Sequence, residues 1–104
     1  MELVDTVDVC PPDLERYLDL FWHRTVPVMT RAGASFVSCA TTDPSLDPVT
    51  VQVVWAVDDF VQWNDIRRRL VLDPGWYEVA RQARTMGRGG TRRFYRPVPA
   101  PAPA

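Results

Sequence analysis

A strand-forming segment from residue 49 to residue 57 constrains the fold of this chain more than any other part of its sequence. The odd-numbered residues of the segment are all apolar: Val49, Val51, Val53, Trp55 and Val57. Because successive side chains of a strand point to opposite faces, these five residues share one face of a sheet. Such an apolar face must be covered by other elements of the chain, and the residues that follow supply two helices.

The first of these helices is expected to begin near Asp58 and Asp59, which are suitable residues for an N-cap and a first turn. The second begins at Asp73 and Pro74, an N-cap followed by proline at the first helical position. Helical spacing predicts that the buried stripes consist of Phe60, Trp63, Arg67 and Leu70 in the first helix and Trp76, Val79, Ala80 and Ala83 in the second.

The remaining elements follow from the same kinds of signal. Glu2 to Val9 alternates as a strand, and a proline pair ends it. A helix is then predicted from about Asp13 to Gly33, with Pro27 expected to kink it or to separate its last turn. Two further strands are predicted over Ala34 to Thr42 and Thr91 to Val98. The GRGG segment before the last strand lacks the rest of a phosphate-binding motif and indicates a turn.

The order of elements is strand, helix, strand, strand, helix pair, strand, which predicts an α+β fold of the ferredoxin-like βαββαβ type. Its antiparallel sheet has helices on one face only. The other face is expected to expose Val37, Val54 and Ala56, with Phe36 on the opposite side of its strand from Val37. We therefore expect the sheet of a second copy to cover this face, giving a homodimer that forms a dimeric α+β barrel.

Length and composition set further limits. The 104 residues fit one domain over residues 1–98, followed by a disordered proline- and alanine-rich tail over residues 99–104. No apolar run approaches the roughly 20 residues of a membrane span, and the acidic N-terminus does not resemble a signal peptide. We expect a cytoplasmic protein with no membrane partner, in which Cys10 and Cys39 are reduced thiols.

The charge distribution is uneven, because acidic residues are concentrated before residue 60 and arginines after it. All twelve basic residues are arginine, and the net charge is −1. Such asymmetry is found in nucleic-acid-binding faces and also in complementary surfaces of an oligomer. The net negative charge favours the second interpretation, so no nucleic-acid partner is expected.

Several motifs occur in an order and spacing that resemble the NIPSNAP family of dimeric α+β barrels. They are a VPVM-type proline segment, AGASFVSC, VVWAVDDF from strand into helix, and LDPGWYEVA. The resemblance covers nearly the whole chain apart from the tail. It implies a homodimer with small-molecule pockets between helices and sheet, in a superfamily that includes antibiotic-biosynthesis monooxygenases, polyketide cyclases and muconolactone isomerases. It brings no shared catalytic motif.

His23 is the only histidine and therefore a candidate general base. On a helical wheel it lies opposite Phe21, and Asp19 precedes it by one turn, which favours a surface ion pair over a catalytic role. The proximity of Pro27 keeps the catalytic interpretation open, since the proline can rotate the last turn of the helix.

Arg67 is the candidate for holding an anionic substrate. It shares a helical arc with Trp63, and a buried guanidinium requires an anionic partner. That partner is either a carboxylate or phenolate of a substrate, or an internal acid such as Asp5, Asp59 or Glu78. Gln52, expected inside the dimer barrel, and Tyr17, from the first helix, are the other candidates for stabilising negative charge.

Aromatic residues are abundant for a chain of this length, and individually they suit core packing. Together they suit a flat ligand between helices and sheet, with Phe21, Trp55, Trp63 and Tyr77 as the candidate substrate-binding residues. The sequence has no HExxH, CxxC or GxSxG motif and no dinucleotide fingerprint, so no metal and no cofactor is expected.

Two functional hypotheses follow from these observations and the resemblance. The first is a cofactor-independent cyclase, isomerase or monooxygenase that acts on an aromatic or polyketide-like metabolite in bacterial secondary metabolism. The second is a non-catalytic barrel that binds a metabolite or assembles with a partner. A convergent set of arginine, tyrosine and histidine side chains would favour the enzyme, and a pocket without an acid–base pair would favour binding.

Overall fold

The elements of the chain follow the predicted order in a computed structural model that describes residues 1–103. The strands and α-helices are β1 Glu2–Val9, α1 Leu14–Leu20, α2 Val26–Ala32, β2 Ser35–Thr41, β3 Val49–Ala56, α3 Phe60–Leu72, α4 Pro74–Met86 and β4 Gly87–Tyr95. A short 3-10 turn at Pro11–Asp13 precedes α1, and a π-helical turn at Phe21–Thr25 connects α1 to α2.

The four strands form one antiparallel sheet in the order β2-β3-β1-β4. As predicted, the apolar face of the segment after residue 48 is buried against the helices; its five inward residues are at most 5 % exposed. Leu3 and Val9 of β1 extend this core, and Phe21 and Ile66 cover it from the helical side. The fold is α+β and ferredoxin-like, with helices on one face of the sheet.

The first helical region is interrupted by the π-helical turn that precedes Pro27. Proline has no N–H to donate to the carbonyl of His23, four residues earlier, and its ring crowds that carbonyl. A wider turn relieves this crowding, so the interruption lies before the proline and the helix continues as α2. Gly33 ends α2 with a φ of 111°, in the left-handed conformation predicted for a glycine at this position.

Regular alternation along β2 predicts that Cys39 shares the helix-free face with Val37, and this is wrong because the strand contains a β-bulge. Phe36 lies opposite Trp55 and Ser38 lies opposite Val54, so Val37 is an extra residue between them. After the bulge the alternation is reversed, and Cys39 packs against the core on the same side as Phe36. A regular strand cannot place these two residues on one face.

The predicted turn at GRGG is also wrong, because these residues begin β4. Gly87 lies opposite Val9, and a Cβ atom on Gly87 would lie 2.6 Å from Cγ2 of Val7. Gly89 and Gly90 have φ angles of 65° and 149° where the register between β1 and β4 shifts. The glycines therefore serve a bulge and a close approach of two strands.

The helix-free face exposes less apolar surface to solvent than the sequence predicts. Val54 is only 9 % exposed even in the single chain, whereas Val37 is 49 % exposed.

Residues 96–103 are exposed and form no helix or strand, and Ala104 of the predicted tail lies outside the described residues. Within the described part of the chain, no helix has the length and apolar character needed to cross a bilayer.

Candidate functional site

Arg67 does not face the sheet, which corrects its predicted orientation. The buried stripe of α3 consists of Trp63, Ile66 and Leu70, and Arg67 is exposed on the outer surface of the helix. Ile66 and Arg67 are 100° apart on the wheel, and the helix turns the isoleucine toward α2 and the core. The premise that Arg67 is a buried cation is therefore wrong.

His23 lies on the outer surface, as the surface interpretation predicts. Its side chain is 75 % exposed, and Nε2 lies 3.3 Å from Oδ1 of Asp19. Gln52 is exposed on the helix-free face, and Tyr77 is 58 % exposed on α4. These three residues do not converge with the other candidates in the single chain.

Three of the predicted substrate-binding residues are core residues. Phe21, Trp55 and Trp63 are 3 %, 2 % and 5 % exposed, and the rings of Phe21 and Trp55 are 6.2 Å apart. Trp63 lies at the margin of the core next to Phe94 of β4, with ring centroids 5.8 Å apart. Of the three, Trp63 is therefore the residue that a ligand can reach with the least rearrangement.

An ion pair that the sequence does not predict lies beside Trp63, on the side of the sheet that carries the helices. Asp5 of β1 and Arg92 of β4 lie opposite each other, and Asp5 is two residues after buried Leu3, on the same face of β1. Arg92 Nε donates to Asp5 Oδ1 at 2.8 Å, and Nη2 donates to Oδ2 at 3.2 Å. The Arg92 guanidinium carbon also lies 4.8 Å from the centre of the Trp63 ring.

This pair is fixed in position but remains accessible. The side chain of Arg92 is 44 % exposed and that of Asp5 is 27 % exposed. Bidentate hydrogen bonding and the stacking on Trp63 hold the guanidinium in one orientation. Its remaining N–H groups are therefore available to a ligand that approaches from solvent on the helix side of the sheet.

Tyr17 of α1 packs against the same core, and the charge of Asp5 acts on its phenol. Burial raises the pKa of Tyr17 to about 12, and the Asp5 carboxylate and the Cys39 sulfur add to this effect. The phenol is therefore protonated at neutral pH and is a hydrogen-bond donor. We call Asp5, Tyr17, Trp63 and Arg92 together the Asp5–Arg92 site.

Part of this site was accessible from the sequence. The sequence indicates Asp5 as one possible internal partner of an arginine, and it indicates Tyr17 and Trp63 as candidate site residues. The missing signal was the pairing of β1 with β4, which ferredoxin-like topology implies and which brings Arg92 next to Asp5. Among residues 1–103, no group of three or more histidine, cysteine, aspartate or glutamate side chains is positioned to hold a metal ion.

Comparisons with known proteins identify the fold. No protein-family model matches the chain, and no match is found among curated proteins. A NIPSNAP domain protein from Burkholderia xenovorans superposes with a TM-score of 0.82 at 22 % identity, covering 94 % of this chain and 95 % of the other. A NIPSNAP family protein from Agrobacterium tumefaciens has a TM-score of 0.77 at 15 % identity, with 94 % of each chain covered.

A further solved structure with this fold is SnoaB from Streptomyces nogalater, described as a cofactor-independent oxygenase. It superposes with a TM-score of 0.56 at 20 % identity, covering 93 % of each chain. These likenesses agree with the resemblance seen in the sequence motifs. The chain has the fold of the NIPSNAP domain proteins, within the ferredoxin-like α+β architecture.

Proposed function

We propose that the chain is a cofactor-independent enzyme that acts on an aromatic or polyketide-like metabolite at the Asp5–Arg92 site. The observation that carries this proposal is a guanidinium held by Asp5 and Trp63 that is still 44 % exposed. A cation fixed in this way is prepared to receive a carboxylate, a phenolate or an enolate.

The chemistry begins with loss of a proton from a phenol or from a carbon next to a carbonyl group. The resulting negative charge lies on the substrate oxygen, where Arg92 and the protonated Tyr17 hydroxyl stabilise it. The Asp5 carboxylate is the base within the cluster that can accept the proton. Protonation of this anion at another carbon gives isomerisation, its attack on a carbonyl carbon of the same molecule gives cyclisation, and its reaction with molecular oxygen as a co-substrate gives oxygenation.

The aromatic neighbours suit a flat substrate. Trp63 and Phe60 both contact Phe94, with ring centroids 5.8 and 5.0 Å from the Phe94 ring. Phe60 is 48 % exposed, so this aromatic surface continues from the core to the solvent next to the site. Arg92 thus takes the role that the sequence assigned to Arg67, and His23 and Gln52 have no part in it.

The fold comparisons support this class of activity without specifying it. SnoaB is described as a cofactor-independent oxygenase, and a protein described as an antibiotic biosynthesis monooxygenase superposes with a TM-score of 0.62 at 13 % identity. A role in bacterial secondary metabolism and a cytoplasmic location complete the proposal. Cys10 and Cys39 are both free thiols, which agrees with a reducing compartment.

The proposed assembly is a homodimer formed through the helix-free face of the sheet. Val37 contributes an exposed apolar surface there, and Gln52, Thr50 and Ala40 line a shallow depression of about 170 Å³. A second sheet would bury both features. The Asp5–Arg92 site lies on the other side of the sheet, so each copy carries its own site.

The experiment is calorimetric titration of the full chain with 2-naphthoate, a flat anionic probe. Arg92→Met should weaken binding at least tenfold, because it removes the charge and keeps much of the side-chain volume. Arg84→Met is the matched control, since Arg84 is exposed on α4 and forms no ion pair with any of residues 1–103. Equal affinities for the two variants would refute the site.

A non-catalytic metabolite-binding or partner-assembly barrel is the second candidate. It is favoured by the dense packing between helices and sheet, where Leu3, Trp55 and Ile66 are at most 2 % exposed. It is also favoured by the outward position of His23. Under this hypothesis 2-naphthoate binds at Arg92, but phenolic and 1,3-dicarbonyl compounds show no deuterium exchange at carbon above the uncatalysed rate.

A further inference from the structure

The outer surface of α3 carries an open groove of about 710 Å³ that belongs to neither the Asp5–Arg92 site nor the sheet. Its lining residues, which we call the α3 groove, are Asn64, Arg67, Arg68, Val71 and Leu72. Val71 is 59 % exposed and Leu72 is 83 % exposed. A helix that already buries one apolar face against the core thus presents a second apolar surface to solvent, which is typical of an interaction site.

The charges of the α3 groove are only weakly compensated. Arg67 forms no ion pair with any of residues 1–103, and Arg68 pairs with Asp65 at 3.4 Å in a contact that is largely exposed to solvent. Arg67 lies one turn before Val71, and Arg68 lies one turn before Leu72. The groove therefore presents two guanidinium groups next to two apolar side chains.

The loop between β2 and β3, Asp43–Pro48, has the complementary chemistry. Oδ1 of Asp43 accepts hydrogen bonds from the backbone N–H of Ser45 at 2.9 Å and from its hydroxyl at 2.8 Å. The N–H of Leu46 donates to the carbonyl oxygen of Asp43 at 3.0 Å. The two hydrogen bonds from Ser45 lower the pKa of the Asp43 carboxyl group, and the three bonds together hold the loop in one conformation.

This preformed loop presents an apolar side chain between two carboxylates. Leu46 is 56 % exposed, and both Asp43 and Asp47 are exposed. The loop carries no basic residue. Its acidic and apolar character therefore matches the basic and apolar character of the α3 groove.

We propose that the α3 groove of one copy binds the β2–β3 loop of a second copy of this chain. Leu46 packs between Val71 and Leu72, and the two loop carboxylates pair with Arg67 and Arg68. Because the loop is already ordered, little conformational entropy is lost on binding. Each copy has one loop and one groove, so the contact forms twice in a two-fold pair or once with each neighbour in a larger assembly.

This contact would explain the uneven distribution of charge along the chain. The acidic loop belongs to the half of the sequence rich in acids, and the groove belongs to the half rich in arginine. A second copy supplies both surfaces in equal number. The contact involves neither the helix-free face nor the Asp5–Arg92 site, so it does not depend on the proposed activity.

The test is sedimentation velocity of the full chain at about 50 mM salt, where exposed charge pairs are weakly screened. Arg67→Glu and Asp47→Arg should each raise the dissociation constant of the contact about tenfold or more. The double variant Arg67→Glu with Asp47→Arg should restore association, since the charges are exchanged. Arg84→Glu makes the same charge change elsewhere and should leave association as in the wild type.

A second variant, Leu46→Ser, tests the apolar part of the contact and should also weaken association. The proposal is overturned if Arg67→Glu associates like the wild type, or if the double variant does not recover. It is also overturned if Arg67→Glu leaves association unchanged and abolishes binding to vesicles of phosphatidylserine and phosphatidylcholine. That last result would identify an anionic lipid surface as the occupant of the groove.

Discussion

Gly87 is the position where the close approach of β1 and β4 can be tested most sharply. Its φ and ψ of −98° and 145° are accessible to any residue, so backbone conformation alone does not require glycine there. A Gly→Ala change at a compatible position usually stabilises by about 0.4–1 kcal/mol through the unfolded chain. Here the added Cβ would lie 2.6 Å from Cγ2 of Val7, far inside ordinary contact distance.

The steric clash should decide whether Gly87→Ala raises or lowers the free energy of unfolding. Val7 is β-branched and pairs with Val51 of β3, so the orientation of its methyl groups is restricted. Overpacking of this kind costs about 1–3 kcal/mol, which exceeds the gain in the unfolded chain. We therefore expect Gly87→Ala to lower the free energy of unfolding by about 1–2 kcal/mol.

A double-mutant cycle isolates the contact. In a Val7→Ala background the obstructing methyl group is absent, so Gly87→Ala should be neutral or slightly stabilising in urea unfolding followed by tryptophan fluorescence. The coupling energy should be about 1–2 kcal/mol. An equal cost of Gly87→Ala in both backgrounds would refute the steric argument and the register between β1 and β4.

Three further predictions follow from the site, the sheet and the tail. Burial raises the pKa of Tyr17 from 10.0 to about 12, so its contribution to the free energy of unfolding is complete below pH 10 and is lost as pH rises toward 12. Tyr17→Phe should abolish that loss in urea unfolding between pH 9 and 12, and an unchanged pH profile would count against a buried Tyr17. Arg67→Glu, in which the α3-groove contact is weakened, should still sediment as a homodimer at micromolar concentration, and a monomer of 11.8 kDa alone would contradict the proposed sheet-to-sheet assembly. Deletion of residues 99–104 should leave the melting temperature and dimerisation unchanged, since a proline- and alanine-rich segment has no side chain to anchor it, and a clear loss of either would mean that the tail docks.

The alternation of β3 and the caps of α3 and α4 depend only on local sequence and were predicted correctly. The buried face of β3 follows from alternation alone, and Asp59 and Asp73 cap α3 and α4 as expected, accepting hydrogen bonds from the N–H groups of Gln62 and Gly75. Capping needs only the neighbouring residues, so no tertiary information is required.

Features that depend on pairing between distant segments were missed. A bulge adds one residue without a clear signal in the strand itself, as Val37 does in β2, and it reverses every later face assignment. The choice between Ile66 and Arg67 for the core depends on where α2 lies, which the wheel alone does not give. Arg92 meets Asp5 only through the register of the first and last strands.

The most direct test of the Asp5–Arg92 site is a crystal structure of the full chain with bound 2-naphthoate. The carboxylate of the probe should pair with the guanidinium of Arg92, and its ring should lie along Trp63 and Phe60. A probe bound instead in the α3 groove beside Arg67, or on the helix-free face beside Gln52, with Arg92 unoccupied, would contradict the assignment of this site.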